Sequence, residues 1–452
     1  MPASPPPMPD QAPTRPGATI AAPAPAARPL PCDGTPLAAA VPGIMTCVHC
    51  GFCLQACPTY LALGDENDSP RGRILLARSL AEGTLPLDDP DVRTHLDRCL
   101  GCRGCETACP SGVPYGHILE AARATLNAIE PPPPIARFVL AVFARPRLLA
   151  AALAGARALR LTGIAALLAR LPGRAGFAFA MLAASTPPLP SRAYSPPPTP
   201  ERGTVALLEG CVMRGLFAHV NRATARVLET NGYRIVSAPA QRCCGALHAH
   251  AGDLAGARTL ARRNIAAFEQ TGAAYIAVNA SGCGLMIKEY GHLLAGDAEW
   301  SARAAAVAAR ARDVSELLAA AGPAPGAALP RRVAYDAPCH LLHGQHLARE
   351  PLAVLAAVPG LEVLPLPNAD QCCGSAGIYS LVQPQLAQDV LAPKLAEIAH
   401  ANASLVATGN PGCIMHIGAG LMRAGIPART VHPVELLDTS YAASHGAAAA
   451  DR

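Results

Sequence analysis

The chain has 452 residues, enough for about two to four domains, and 51% of it is apolar, which excludes a wholly disordered polypeptide. A formal charge of +5 is too small to argue for a nucleic-acid partner, and only Lys288 and Lys394 of the 37 basic residues are lysine, so the arginine richness reads as coding bias. The informative count is 17 cysteines, odd in number and clustered, behind a start that lacks a basic-then-apolar leader. A disulfide scaffold is normally a short secreted chain, so reduced cytosolic thiolates holding metal are the expectation.

Residues 1–42 carry 13 prolines and read as a disordered tail, with Cys32 a free thiol of no consequence. Residues 43–130 then hold two complete runs, Cys47-x2-Cys50-x2-Cys53-x3-Cys57-Pro58 and Cys99-x2-Cys102-x2-Cys105-x3-Cys109-Pro110. This is the spacing of bacterial [4Fe-4S] ferredoxins, in which the fourth cysteine serves the other cluster. One cluster therefore takes Cys47, Cys50, Cys53 and Cys109, and the other takes Cys99, Cys102, Cys105 and Cys57. A lone Cys-x2-Cys fits zinc as readily, but two full runs of four argue against it. The 41 residues between the runs have helical spacing over Arg73–Glu82 and Asp91–Leu96. A helical ferredoxin module is expected, with His49, Gly51 and Gly104 shaping the loops.

Residues 131–202 form an Arg-rich helical segment and a Pro-rich linker. From 131 to 200 there are eight arginines and no acid. That composition fits either a helix lying on an anionic membrane surface or a helical bridge covered by the partner subunits, and no apolar run is long enough to span a bilayer.

The remainder is a duplication. Cys211, Cys243, Cys244 and Cys283 recur as Cys339, Cys372, Cys373 and Cys413, in modules spanning 203–325 and 330–440. Val205–Glu209, Val333–Tyr335, Tyr275–Val278 and Leu405–Ala407 read as strands, and Asn221–Thr230 and Leu386–His400 as helices. This puts the cysteines at the carboxyl ends of strands or at helix starts, where open α/β sheets hold ligands and thiolates are favoured. Each quartet suits an iron–sulfur cluster, redox-active thiols or zinc. The expected fold is thus α/β with a helical N-terminal domain: a helical ferredoxin-like 2x[4Fe-4S] module followed by two duplicated Cys-Cys-Gly modules.

Two cubanes in one module point to electron relay. The chain shows no dinucleotide fingerprint, P-loop, zinc-protease helix or nucleophile elbow, so the organic chemistry is expected on a partner. His340, His343 and His346, with His248 and His250, stand near the cysteines as polar side chains, ligands or proton relays. Arg71 and Arg73 either tune a cluster by charge or brace its loop.

The architecture resembles the iron–sulfur subunits of glycolate oxidase, glycerol-3-phosphate dehydrogenase and lactate-utilisation systems, and more distantly heterodisulfide reductase. It is most similar to the glycolate oxidase subunits. The resemblance rests on Cys47-Val-His-Cys-Gly-Phe-Cys53, Ser69-Pro-Arg-Gly-Arg-Ile74, Leu208-Glu-Gly-Cys211, Ala280-Ser-Gly-Cys-Gly284, Lys288-Glu-Tyr-Gly291 and Cys372-Cys-Gly-Ser-Ala-Gly377. It implies FAD-binding partner subunits that oxidise glycolate to glyoxylate, with electrons leaving through this chain to a quinone or other membrane acceptor. It further implies a cytoplasmic protein without a transmembrane helix, with a peripheral seat on the inner membrane as the alternative. A related lactate or glycerol-3-phosphate dehydrogenase and a thiol–disulfide reductase are the competing readings. Where the heterodisulfide reductase pattern has a further cysteine in each module, this chain has Ala280 and Asn410, which counts against that enzyme's double cluster.

Overall fold

The computed structural model describes residues 31–190, 193–196 and 200–450. The expected tail lies outside the described residues up to position 30, but its last stretch departs from expectation. Pro36–Ile44 is a helix, and Leu37, Ile44 and Cys32 are buried in the N-terminal core. Proline at the first helical position has the required φ and no amide to leave unpaired, and the Leu37 N–H donates to Thr125 Oγ1 at 3.0 Å. Cys32 acts there as a small apolar residue.

The same use of proline opens helices Pro58–Leu63, Pro70–Glu82 and Pro90–Asp97, so the last two begin earlier than their apolar spacing indicates. Ser69 and Asp89 cap them, accepting from the Gly72 amide at 3.0 Å and the Asp91 amide at 2.9 Å. With Tyr115–Ile129 they enclose a core that includes Ile74, Leu80, Leu96, Ile118 and Leu126. The N-terminal module is helical, as expected.

The duplicated modules each carry a four-stranded parallel sheet. The first holds β1 (Gly203–Leu207), β2 (Tyr233–Val236), β3 (Tyr275–Val278) and β4 (Ala311–Asp313), in the order β2-β1-β3-β4. The second holds β5 (Arg331–Tyr335), β6 (Leu361–Leu364), β7 (Leu405–Ala407) and β8 (Arg429–Val431), in the order β6-β5-β7-β8. Val205 pairs with Tyr275 and Val333 with Leu405, so the two registers correspond. In each sheet the strand order reverses beside the first strand, which opens a crevice at the carboxyl ends.

Between the modules and the ferredoxin-like domain, helices Pro134–Ala144, Pro146–Leu161, Ile164–Leu168 and Gly173–Ala184 form a bridge. The first two meet at a 105° bend, and no single helix among the described residues is long and apolar enough to cross a membrane. Gly173–Ala184 lies on Pro411–Ala424 of the second module, where a Cβ on Gly418 would come within 2.7 Å of the Ala184 Cβ. Arg160 reaches the first module, donating to the Leu216 carbonyl at 2.9 Å, and Arg423 donates to the Leu171 carbonyl at 2.9 Å.

The last helix, Pro433–Ala450, runs beyond the expected module end and packs on Ala218–Thr230 of the first module. Across this seam Arg226 Nε donates to Asp438 at 2.9 Å, and His219 faces Glu435 at 3.4 Å. Burial pushes the Glu435 carboxyl up to about 7, with Asp438 adding to the shift against the His432 amide, which donates to it. A carboxyl whose folded pKa is raised binds its proton more tightly in the native state. Its contribution is complete below the unfolded value and is lost as pH rises through about 7. Denaturant midpoints should therefore fall between pH 5 and pH 8, and Glu435→Gln should flatten that dependence; an unchanged slope in the variant would contradict the assignment.

Candidate metal centres

The two ferredoxin runs line two adjoining cavities. The first is lined by Cys47, Cys50, Cys53 and Cys109 together with Cys105, Arg71, Ile74 and Tyr115. The second is lined by Cys57, Cys99, Cys102 and Cys105 with Thr59, Arg73 and Leu100. Each fourth cysteine thus lies in the cavity of the opposite run, and Cys105 borders both. Cys50 is exposed, whereas Cys57, Cys99 and Cys105 are buried.

A buried ion network holds the two loops in this arrangement. Asp68, fully buried, accepts from Arg73 Nη2 at 3.0 Å and Arg98 Nη1 at 3.1 Å, and His95 Nδ1 stands at 3.2 Å. Arg73, also buried, donates to the His95 carbonyl at 2.7 Å and to Thr59 Oγ1 at 3.0 Å, and its Nη1 lies 3.9 Å from Cys57 Sγ. Burial works against the Arg73 charge, but Cys99, Tyr115, Cys57 and Asp68 hold it protonated. Arg71 instead pairs with Glu66 at 2.6 Å and lines the first cavity. Both arginines therefore brace a loop and also place positive charge beside the sulfurs. Burial pushes the Cys53 thiol up to about 11 and Cys105 well above its ordinary value. Such thiols become thiolates only with a cation among them.

In the duplicated modules the cysteines gather at the carboxyl ends of the strands. Cys211 opens helix Cys211–Leu216 after β1, and Cys283 sits in the first turn of Ser281–Lys288 after β3. Cys339 and Cys413 repeat this after β5 and β7. Each Cys-Cys pair follows the second strand of its sheet and turns through a glycine with positive φ, Gly245 at 95° and Gly374 at 87°. A Cβ on Gly374 would lie 2.4 Å from the Ala387 carbonyl oxygen, so both the turn and the close approach require glycine. In the first module Cys244 is buried with Cys283 packed against the same cluster, and Cys243 is buried beside it. In the second module Cys339 Sγ lies 3.9 Å from Cys372 Sγ, and Cys373 and Cys413 are buried in one cluster.

The spacing bears on what fits. All 17 cysteines are free thiols. Among the described residues, the one group whose three ligand atoms all lie within 4.8 Å of each other is Asp65, Asp68 and His95, which belongs to the ion network. A tetrahedral zinc site with Zn–S bonds near 2.3 Å gathers its sulfurs about 3.8 Å apart. Cys339 and Cys372, at 3.9 Å, match that spacing, but no three thiols of either quartet lie within 4.8 Å of one another among the described residues.

Several residues that the sequence reading passed over hold these sites. Asn264 donates to the Cys243 carbonyl at 2.9 Å and to Tyr290 Oη at 3.0 Å, and Tyr290 donates to the Cys244 carbonyl at 2.8 Å. In the second module a buried Lys394–Asp336 pair at 2.7 Å lies near Cys373 and Cys413. Arg103, between two cysteines of the second run, binds Glu289 through Nη2 at 2.8 Å, and His117 reaches Glu289 at 3.1 Å. Burial alone would raise the Glu289 carboxyl, but the His117 hydrogen bond and the Arg103 charge outweigh it and hold it at about 2. Tyr290 and Glu289 fall within the Lys288–Gly291 stretch, so that motif was the available signal. The histidines are mostly joints between modules. His340 Nε2 donates to the Gly101 carbonyl at 2.9 Å, His343 lies 3.0 Å from Thr107 Oγ1, and His250 pairs with Glu120 at 2.8 Å.

The chain matches the model of a 4Fe-4S dicluster domain over residues 43–113 and that of a cysteine-rich domain over 205–288 and 333–418. It is 36% identical to the probable glycolate oxidase iron-sulfur subunit of Bacillus subtilis over 418 residues, 87% of this chain and 93% of that one. It is also 36% identical to the glycolate oxidase iron-sulfur subunit of Escherichia coli over 387 residues, 83% of this chain and 90% of that one. Lactate utilization protein A of Geobacillus thermodenitrificans is 32% identical over 236 residues, 52% of this chain and 98% of that one.

Tyr290→Phe should destabilise the first module by about 1–3 kcal/mol, because the Cys244 carbonyl loses its buried donor. Equilibrium urea unfolding measures this, and a variant as stable as the parent would contradict the bracing role.

Proposed function

Because the chain belongs to the family of glycolate oxidase iron–sulfur subunits, we propose that it conducts electrons from the FAD of partner subunits, where glycolate becomes glyoxylate, to a quinone or other membrane acceptor. Cys47, Cys50, Cys53 and Cys109 would hold one [4Fe-4S] cluster and Cys57, Cys99, Cys102 and Cys105 the second. Cys211, Cys243, Cys244 and Cys283, and Cys339, Cys372, Cys373 and Cys413, would hold further iron–sulfur centres. Bound there, such clusters supply one-electron carriers whose potential follows burial, hydrogen bonding and nearby charge.

The observation that carries this reading is the exchange of the fourth cysteines between two adjoining cavities. The protein's own part is to hold and tune. Tyr115 Oη and the Gly101 amide donate toward Cys99 Sγ at 3.5 and 3.4 Å, and Arg73 adds positive charge beside Cys57. These contacts stabilise negative charge on the sulfurs and favour the reduced state. Leu100, Ile74 and Val113 keep the cavity walls apolar. The first cavity opens where Cys50, Val48 and Phe52 are exposed, and that rim is the side offered to the flavin subunit. The likeness to lactate utilization protein A favours lactate as the second reading of the substrate.

Assembled with its flavin partners, Cys50→Ser should abolish acceptor reduction while glycolate still bleaches the flavin. Failure of glycolate to bleach it in that variant would contradict the relay, and bleaching by lactate instead would select the second substrate. Phe52→Asp should slow reduction of this chain by the partner without changing its iron content; an unchanged rate would remove the Val48–Phe52 rim as the approach face.

A further inference from the structure

The ferredoxin-like domain touches both Cys-Cys-Gly modules, but the two contacts differ in kind. Against the first module, Arg103 and His117 bind Glu289, Arg123 donates to the His250 carbonyl at 2.8 Å, and Asn127 donates to the Ala251 carbonyl at 2.7 Å. No cysteine of the first quartet takes part in these bonds.

Against the second module, the cysteine loop itself is seated. Leu100 is buried with Cys372, Tyr379 and Leu386, and Cys102 packs against that same cluster. Tyr379 Oη donates to the Arg98 carbonyl at 2.8 Å, and His340 Nε2 donates to the Gly101 carbonyl at 2.9 Å. His343 Nε2 donates to the Asp370 carbonyl at 2.9 Å, which leaves its Nδ1 to accept from the Thr107 hydroxyl at 3.0 Å. Hydrogen bonds thus clamp the loop from Arg98 to Thr107 onto His340 and His343, which follow Cys339, and onto Tyr379, which follows Cys372.

We infer that the second Cys-Cys-Gly site, and not the first, exchanges electrons with the ferredoxin-like domain, and that the packing of the Leu100–Cys102 loop on Cys372 is the junction. The inference rests on the relay proposed above and gives it an order. One electron leaves the centre held by Cys57, Cys99, Cys102 and Cys105, which is oxidised by one. The centre held by Cys339, Cys372, Cys373 and Cys413 is reduced by one, and no proton need move. The reductant is the partner's flavin, or dithionite in the isolated chain. His340 and His343 are positioning residues for the junction; they set the approach of the loop to Cys372.

Magnetic relaxation tests this on the full chain, purified anaerobically and reduced with dithionite. The two ferredoxin-type clusters relax each other, and the signal should resist microwave saturation further because the second Cys-Cys-Gly centre lies beside one of them. Cys413→Ser removes a thiol of the second site that is not part of the junction, and it should make the signal saturate at severalfold lower power. Cys373→Ser should do the same, and Cys211→Ser should leave saturation unchanged. His343→Phe should weaken the coupling and His343→Gln, which keeps both a donor and an acceptor, should restore it. Equal effects of Cys211→Ser and Cys413→Ser, or no effect of Cys413→Ser and Cys373→Ser, would overturn the inference while leaving the relay intact. A parent chain with no ferredoxin-type signal would overturn the relay itself.

Discussion

The arrangement depends on one buried carboxylate. Asp68 lies between Arg73 and Arg98, with no exposed surface of its own. Taking such charges out of water is costly, and the cost is offset only when every charge finds a partner in good geometry. Here the pairing decides where the chain runs. Arg73 also binds Thr59, two residues past Cys57, and Arg98 directly precedes Cys99. The end of one cysteine run is therefore drawn against the start of the other, and Cys57 reaches the cavity of the second run. Removing either arginine would leave part of a buried charge unmatched, so this network is under tighter constraint than the surface ion pairs elsewhere in the chain.

The two α/β modules apply the same geometry twice. A parallel sheet whose order reverses beside its first strand leaves a crevice at the strand ends, and loops and helix starts deliver four thiols to it. The copies differ in what surrounds the thiols. The first braces its Cys-Cys peptide with the neutral pair Asn264 and Tyr290, whereas the second places Lys394 and Asp336 in the corresponding region. Among the described residues, it is the second that receives the ferredoxin loop against a cysteine, Leu100 being buried with Cys372. Duplication supplied two similar sites, and docking made them unequal.

Much of this was legible in the residues. The cysteine spacing alone paired the two runs, and the recurrence of Cys-Cys-Gly located both modules and their central strands. What escaped was carried by short or context-dependent signals. β2, β4, β6 and β8 have three or four residues each and do not lead straight into a cysteine, the marker that located the other four. Pro36–Ile44 looked like tail because proline was counted as a breaker, although at the first helical turn it is favoured. Glu289, Arg103, His340 and His343 act across domains, and nothing in the local sequence of either partner announces the other. The Arg-rich stretch fitted two readings by composition, and its packing on Pro411–Ala424 and on Cys211–Leu216 is carried by contacts that composition does not reveal.

The central claim is that the crossed cysteines hold iron clusters and not isolated zinc ions. Metal and acid-labile sulfide analysis of the anaerobically purified chain, with low-temperature spin resonance after dithionite, addresses it most directly. At least about eight iron atoms per chain are expected, with sulfide in matching amount and the signal of two interacting reduced clusters. A chain that carries zinc, lacks sulfide and stays silent on reduction would contradict it.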